Sequence, residues 1–463
     1  MHRRCFLLFG GVFPIAVGSL CAQAPADFSS YNATPIDSSV KRILDATGVP
    51  SASLAIVKNG QIAYLQAYGK ARLSPAMDAK PEMQYSIGSI SKQFTAAAIL
   101  LLAEDGKLTL DDPVSRFLPD LTRAKEITIR MLLSHTSGYQ DYWPEDYVMI
   151  SMLQPTTTEH ILNGWARKAL DFDPGTRWQY SNTNYVIAGR IAEIAGGKPL
   201  LDQLQERVFR RLGMNGIVNI DAGRLPSADP EGYYRHALGP LRPAPKEGAG
   251  WLFAAGELAM PARDLALWNI SMMNRSLLKP SSYDEMWKDV KLKNGENTGY
   301  GLGVSVGVQN GHKLISHSGE VSGFVSMNTV YPDDKAAITV LTNQDASSAA
   351  GAISAELGPA LIGHSKEEKR ALSIFTGLQA GKLDRSQLTE FCNAYFTPEA
   401  IADFAGSLKS LGVPLSFRQQ SESQRGGMTF RVFRAEFADR RLVITTYEMP
   451  DGKLEQFLVV PGR

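Results

Sequence analysis

The sequence predicts an α+β fold: an antiparallel sheet flanked by helices, an all-helical lobe, and a small C-terminal α+β unit. Three observations point there. Strand-like runs over residues 51–57 and 61–67 are joined by Lys58-Asn59-Gly60, and Asn-Gly between such runs signals a hairpin. Further strand runs begin only at residue 299, and the stretch between is mostly helical in pattern. Strands at both ends with helices between imply one sheet assembled from both ends and a helical insertion.

The N-terminus has its own pattern. His2-Arg3-Arg4 is basic, residues 5–20 are apolar but broken by Gly10, Gly11, Pro14 and Gly18, and Ala22-Gln23-Ala24 is a small-x-small site. Residues 1–24 therefore read as a secretory signal, which predicts an exported protein, periplasmic or secreted. Cys21 offers a lipid anchor as the alternative, against which stands the bulky Leu20 before it. The expected division is a main domain over 25–365 and an accessory α+β domain over 366–463.

Composition narrows the function classes. The net charge is +1, with 44% hydrophobic and 21% charged residues, so no electrostatic footprint for nucleic acid is present. No stretch after the leader is apolar enough to span a bilayer. Of three cysteines only Cys392 lies beyond the leader, which leaves no internal disulfide. No cluster has zinc or calcium spacing and no phosphate-binding glycine loop occurs, so neither metal nor cofactor is expected.

Residues 36–47 form an amphipathic helix with Ile36, Val40, Ile43 and Leu44 on one face. Next comes Ser86-Ile87-Gly88-Ser89-Ile90-Ser91-Lys92, a turn opening into an apolar helix. Ser89 stands near the first turn, where free N–H groups favour an anion, and Lys92 returns to the same face one turn later. A serine beside an amine has the parts of an activated nucleophile. Ser-x-x-Lys also occurs at Ser38/Lys41, which reads as solvated surface, and at Ser276/Lys279, at the ragged end between two helices before Pro280.

Short helices follow at 127–133 and 159–170. His135, in Ser134-His135-Thr136-Ser137-Gly138, reads as a turn residue rather than a base. Helices are expected at 185–195, 200–212, 263–273 and 283–287. Residues 232–256, rich in Gly, Pro and aromatics, form a long functional or mobile loop, with Tyr233, Tyr234 and Trp251 expected to border the site. Strands follow at 299–308, 313–315, 323–331 and 336–341, then a helix at 346–362. Beyond a charged break at 364–370 come helices at 371–380, 386–395 and 398–411. Strands at 415–420, 429–437, 442–448 and 454–460 close the chain.

Two further motifs complete a chemical set. Tyr180-Ser181-Asn182 places a phenol that could take the serine proton if cationic Lys92 lowers its pKa. Asn182 offers an amide to hold Lys92 or a substrate carbonyl. His317-Ser318-Gly319 reads as a turn leading into a strand. Gly319 permits close approach of backbone, and the Glu320 N–H, with that of Ser89, could donate to an oxyanion. Two rivals fail on context. Lys293-Asn294-Gly295 is a loop-tip turn, and Gly303-Val304-Ser305-Val306-Gly307 lacks the strand-turn-helix of a nucleophile elbow.

Together these stretches, with Pro174-Gly175-Thr176 and Gly323-Phe324, resemble the serine β-lactamase and penicillin-binding-protein-like superfamily over residues 36–362. The resemblance is to the branch holding class C β-lactamases, D-alanyl-D-alanine carboxypeptidases and esterases. It implies an acyl-enzyme mechanism with Ser89 as nucleophile, Lys92 as its activating amine, Tyr180 as general base and acid, and Asn182, His317, Ser318 and Gly319 binding substrate. His317 departs from the lysine typical of the third motif. That moves the expectation from β-lactamase toward an esterase or D-amino-acid peptidase acting on a small molecule or peptide. The alternatives are a binding or sensing protein on the same scaffold and a true class C-like β-lactamase.

Overall fold

The computed structural model describes residues 33–462, and the expected signal and Cys21 lie outside the described residues. The Asn59-Gly60 turn joins β1 (Ser51–Lys58) to β2 (Gln61–Leu73), which continues to β3 (Ala76–Asp78). The second group of strands is β4 (Ser305–Gln309), β5 (His312–Val321), β6 (Phe324–Tyr331) and β7 (Ala336–Thr342). All pair antiparallel into one seven-stranded sheet, in the order β3-β2-β1-β7-β6-β5-β4. The first and last parts of the domain meet at its centre, where Ala52 faces Thr342 and Val57 faces Ala337.

The central strands are buried on both faces, which is why they read as unbroken apolar runs. Alternate residues of β1 serve different cores. Leu54 and Ile56 point toward α1 (Ala33–Thr47) and the later helix over Ala349–Leu361, whereas Ala55 and Val57 join the larger core under the helical lobe. Full burial of a side chain such as Leu54 or Ile56 stabilises by about 1.5–3 kcal/mol. The Ser-x-x-Lys helix, α2 (Ser91–Glu104), is buried around its whole circumference from Ser91 to Leu102. Such a helix has no polar face and belongs at the centre of the domain.

Three expectations change. His317-Ser318-Gly319 is not a turn: it lies inside β5, which runs well past the expected 313–315, because each residue from Ile315 to Val321 is paired to β6. The expected strand at 299–308 begins only at Ser305, since Asp289 Oδ1 takes the Thr298 and Gly299 N–H groups and holds the preceding stretch as a loop. The charged break at 364–370 is the start of a helix over Lys366–Gln379. Ser365 and Glu368 form a capping box there, so the charges are first-turn residues rather than a linker.

The C-terminal strands, Ser416–Arg425, Met428–Glu436, Arg441–Glu448 and Leu454–Pro461, form a separate antiparallel sheet in chain order. It has its own core around Phe375, Phe396, Phe417, Phe433 and Phe457, in which Cys392 is buried as a small apolar group. The buried Glu368 carboxylate ties this sheet to the chain's turn at 363–365, accepting from Gln419 N and pairing with Arg418.

Candidate active site

Ser89 sits on a 3-10 turn (Gly88–Ile90) that feeds directly into α2. The turn is strapped on both sides. Ile87 N–H donates to Leu258 O at 3.0 Å, and Ser326 Oγ donates to Ile87 O at 2.9 Å. Farther along, Thr95 Oγ1 donates to Ala254 O at 2.7 Å, fixing the short helical turn over Phe253–Gly256 against α2.

One turn beyond Ser89, Lys92 is fully buried. Its Nζ is 2.8 Å from Ser89 Oγ, 2.8 Å from Asn182 Oδ1 and 2.9 Å from Ala255 O. Burial pulls its pKa down to about 7, opposed by the nearby Asp141 charge. Near neutral pH a large share of Lys92 is therefore free amine, able to accept the Ser89 proton.

Asn182 opens the helix over Asn182–Gly196, and Tyr180 lies two residues earlier. Their placement depends on Asp141, which has no assigned part in the sequence reading, and on His135, read there as a turn residue. Asp141 Oδ1 accepts Asn182 N–H at 2.9 Å, and its Oδ2 faces Asn182 Nδ2 at 3.3 Å. His135 is buried at a positive φ of 59°. Its Nδ1 accepts the Ser181 N–H at 3.2 Å, and its ring lies 4.2 Å from that of Tyr180. Burial drives His135 well below the usual histidine range, so the ring is neutral. It is a turn residue, and the turn it makes carries Tyr180. The loop holding Asp141 is itself the main wall of the cavity before Ser89, which draws on residues 140–148. The density of aromatic and acidic residues in Tyr139-Gln140-Asp141-Tyr142-Trp143-Pro144-Glu145, without any period, was the available signal.

The electrostatics reverse one expectation. Lys92 was to lower the Tyr180 pKa. Instead burial raises it, outweighing the hydrogen bond from Ser89, and Asp141 raises it further. The Tyr180 ring lies 5.0 Å from Lys92 Nζ, but that lysine carries its proton only part of the time near neutral pH. Tyr180 is thus a phenol holding its proton, suited to donate rather than to abstract.

On the other wall, β4 pairs with β5 only up to Ser316, so among the described residues the 317–321 edge is free on that side. This edge meets the Ser89 turn. An added Cβ on Gly319 would lie 1.9 Å from Ile87 O, and one on Gly88 would lie 2.7 Å from Glu320 N. Two glycines therefore bring the Glu320 N–H alongside the residue preceding Ser89. Ser318 is exposed on this edge. His317 is not available as expected. It is buried, its Nδ1–H donates to Ser318 O and its Nε2 accepts from Tyr300 Oη at 2.7 Å. Burial and then Lys92 lower its pKa to about 4, so it offers neither charge nor a free nitrogen. The expected border residues also move. Tyr233 donates to Glu231 and accepts from Leu73 N, and Trp251 is buried with its indole N–H on Gln154 O. Leu252, Ala255 and Gly256 reach the cavity instead.

Penicillin-binding protein 4* of Bacillus subtilis (strain 168) is 28% identical over 306 residues, covering 62% of this chain and 67% of that protein. Protein flp of Staphylococcus aureus is 27% identical, covering 71% of this chain and 65% of that protein, so the chain spans about two thirds of the length of these relatives. The D-amino acid amidase of Ochrobactrum anthropi SV3 superposes with a TM-score of 0.62 at 26% identity, covering 71% of this chain and 97% of that one. The beta-lactamase family model matches residues 36–358, which include the Ser89 turn, Tyr180-Ser181-Asn182 and the β5 edge. This chain belongs to the beta-lactamase family of serine hydrolases.

Proposed function

We propose that the protein is an exported hydrolase that cleaves an ester or amide through a Ser89 acyl-enzyme, with esterase or D-amino-acid peptidase-like specificity. The observation that carries this reading is the buried Lys92 amine 2.8 Å from Ser89 Oγ at the floor of the cavity. Neutral Lys92 takes the Ser89 proton as the oxygen bonds to the substrate carbonyl carbon. The oxyanion is held by the Ser89 and Glu320 N–H groups. The Tyr180 phenol gives its proton to the departing alcohol or amine and regains one from Lys92. Water then adds to the acyl carbon and releases the acid. Uncharged His317, committed to Ser318 and Tyr300, supplies no anchor for a substrate carboxylate, which favours this reading over a β-lactamase. Export rests on residues 1–24 and is checked by the N-terminal mass of the secreted protein.

The test is intact mass after exposure to a fluorophosphonate. The wild type gains one adduct. Ser89→Ala gains none and loses at least about 10³-fold in ester hydrolysis. A folded wild type that takes no adduct would overturn the reading.

A further inference from the structure

The β5 edge meets the Ser89 turn at Gly319 and then runs on without a strand beside it, since β4 pairs with β5 only up to Ser316. The tight contacts at Gly88 and Gly319 limit how near this edge can come. They do not stop it from swinging outward. An oxyanion donor acts only at hydrogen-bond distance from the reacting oxygen, so the outer end of β5 needs a tether.

Glu247 supplies one, from the long aperiodic loop over residues 232–256. Glu320, Val321 and Ser322 line the cavity, whereas Glu247 is not among the described lining residues and its side chain is 1% exposed. Its Oε1 accepts the Ser322 N–H at 2.8 Å. Ser322 Oγ donates to Pro245 O, so the hairpin tip is gripped at two points. Glu320 and Ser322 are two residues apart, the spacing at which N–H groups return to one side of an antiparallel strand. The nitrogen of Glu320 faces the Ser89 turn, and that of Ser322 is taken by Glu247. Lys246 Nζ pairs with the other carboxylate oxygen at 3.0 Å, which offsets the cost of burying the charge.

Beyond Glu247 the loop is fastened to the helical lobe and then to α2. Gly248 N–H donates to Met152 O at 2.8 Å, and Thr156 N–H donates to Ala249 O at 2.7 Å. Asp221 accepts the N–H groups of Gly250, Leu252 and Phe253. Ala254 O and Ala255 O then accept from Thr95 Oγ1 and Lys92 Nζ. Residues 247–255 are therefore a strap, with the end of β5 at one end and Lys92 at the other.

We propose that Glu247 is a positioning residue for the Ser89 reaction: through Ser322 it holds the tip of β5 so that the Glu320 N–H stays opposite Ser89. This rests on the hydrolase reading above and deepens it. What the site requires of residue 247 is a hydrogen-bond acceptor at the right reach, not a charge.

Hydrolysis of p-nitrophenyl acetate and labelling by an uncharged fluorophosphonate read the effect, at a temperature where each variant is fully folded by its own melting curve. In the double variant Lys246→Met, Glu247→Leu the acceptor is gone and kcat falls at least about tenfold. Acylation and deacylation use the same donors, so KM stays within about twofold. Lys246→Met, Glu247→Gln keeps an acceptor without the charge and returns kcat to within about threefold of wild type. Glu247→Asp keeps the charge but shortens the arm by one CH₂, and its kcat falls as well. That variant keeps the test open if Glu247→Leu fails to fold. Three results overturn the inference while leaving Ser89 labelled: Glu247→Gln as slow as Glu247→Leu, a loss confined to KM or to the melting temperature, or wild-type rates in Glu247→Leu or in Glu247→Asp. Absence of any labelling of the wild type overturns the hydrolase reading and this inference with it.

Discussion

Replacement of Lys92 by Met lowers kcat by about 10²- to 10⁴-fold, the range that a positioned general base supplies. The side chain is buried and unbranched, so Met fills its volume, but Ser89 Oγ loses the amine that stands 2.8 Å from it. The pH profile carries the more specific signature. The active form is the neutral amine, and the Lys92 pKa is lowered to about 7. Wild-type kcat/KM therefore rises with pH through about 7 and levels above it, and the variant lacks this limb. Asp141→Asn removes the charge that holds the Lys92 pKa up, so the limb moves to lower pH. A limb that stays in place in Asp141→Asn, or survives in Lys92→Met, would assign the base elsewhere.

The same shift has a sign in stability. Between about 7 and 10.5 the unfolded lysine binds a proton that the folded one does not. Wild-type stability accordingly rises with pH across that window, by up to ~1.4 kcal/mol per pH unit from this group. Lys92→Met removes that slope. Urea unfolding at pH 7 and pH 9.5, wild type against variant, reads the difference directly.

How much of this was legible in the sequence follows from what each residue's role depends on. The hairpin at Asn59-Gly60 and the two groups of strands depend on local turn chemistry and period, and the seven-stranded sheet contains both. Ser89, Lys92, Tyr180 and Asn182 carry their chemistry in their side chains and spacing, and the fold brings the four together. Burial was not legible. The sequence presents Lys92 as a cation and Tyr180 as the group it acidifies. Only the packing of α2 inside the core shows that desolvation acts on both, lowering the lysine's pKa and raising the phenol's. His317 hides in the same way, since its partners, Tyr300 and the Ser318 carbonyl, are set by where β5 runs. Asp141 and Glu145 lie in a loop with no period and no motif. Their position in the wall is a property of tertiary contact alone.

Gly319→Ala tests whether the β5 edge must touch the nucleophile turn. A Cβ there would stand 1.9 Å from Ile87 O and 2.5 Å from Ser326 Oγ. Neither can withdraw cheaply. Ile87 is fastened to Leu258 on its far side, and Ser326 Oγ is already bonded to Ile87 O. The strand edge must move off the turn, carrying the Glu320 N–H with it. The expected cost is ~1–3 kcal/mol of stability, as for overpacking in a filled core. The rate should fall by about 10²-fold, as for a displacement near 1 Å in a reacting geometry. Gly307→Ala is the control. It lies on the neighbouring strand β4 with nothing within 4 Å of its added Cβ. That variant should melt and turn over as the wild type does. The labelling rate of Ser89 separates the two consequences. In Gly319→Ala, chemistry slows at temperatures where the fold is still complete, because an oxyanion donor that has shifted cannot be recovered by stability elsewhere. Wild-type labelling in Gly319→Ala would mean that the β5 edge only closes the cavity and that the oxyanion is held by other groups.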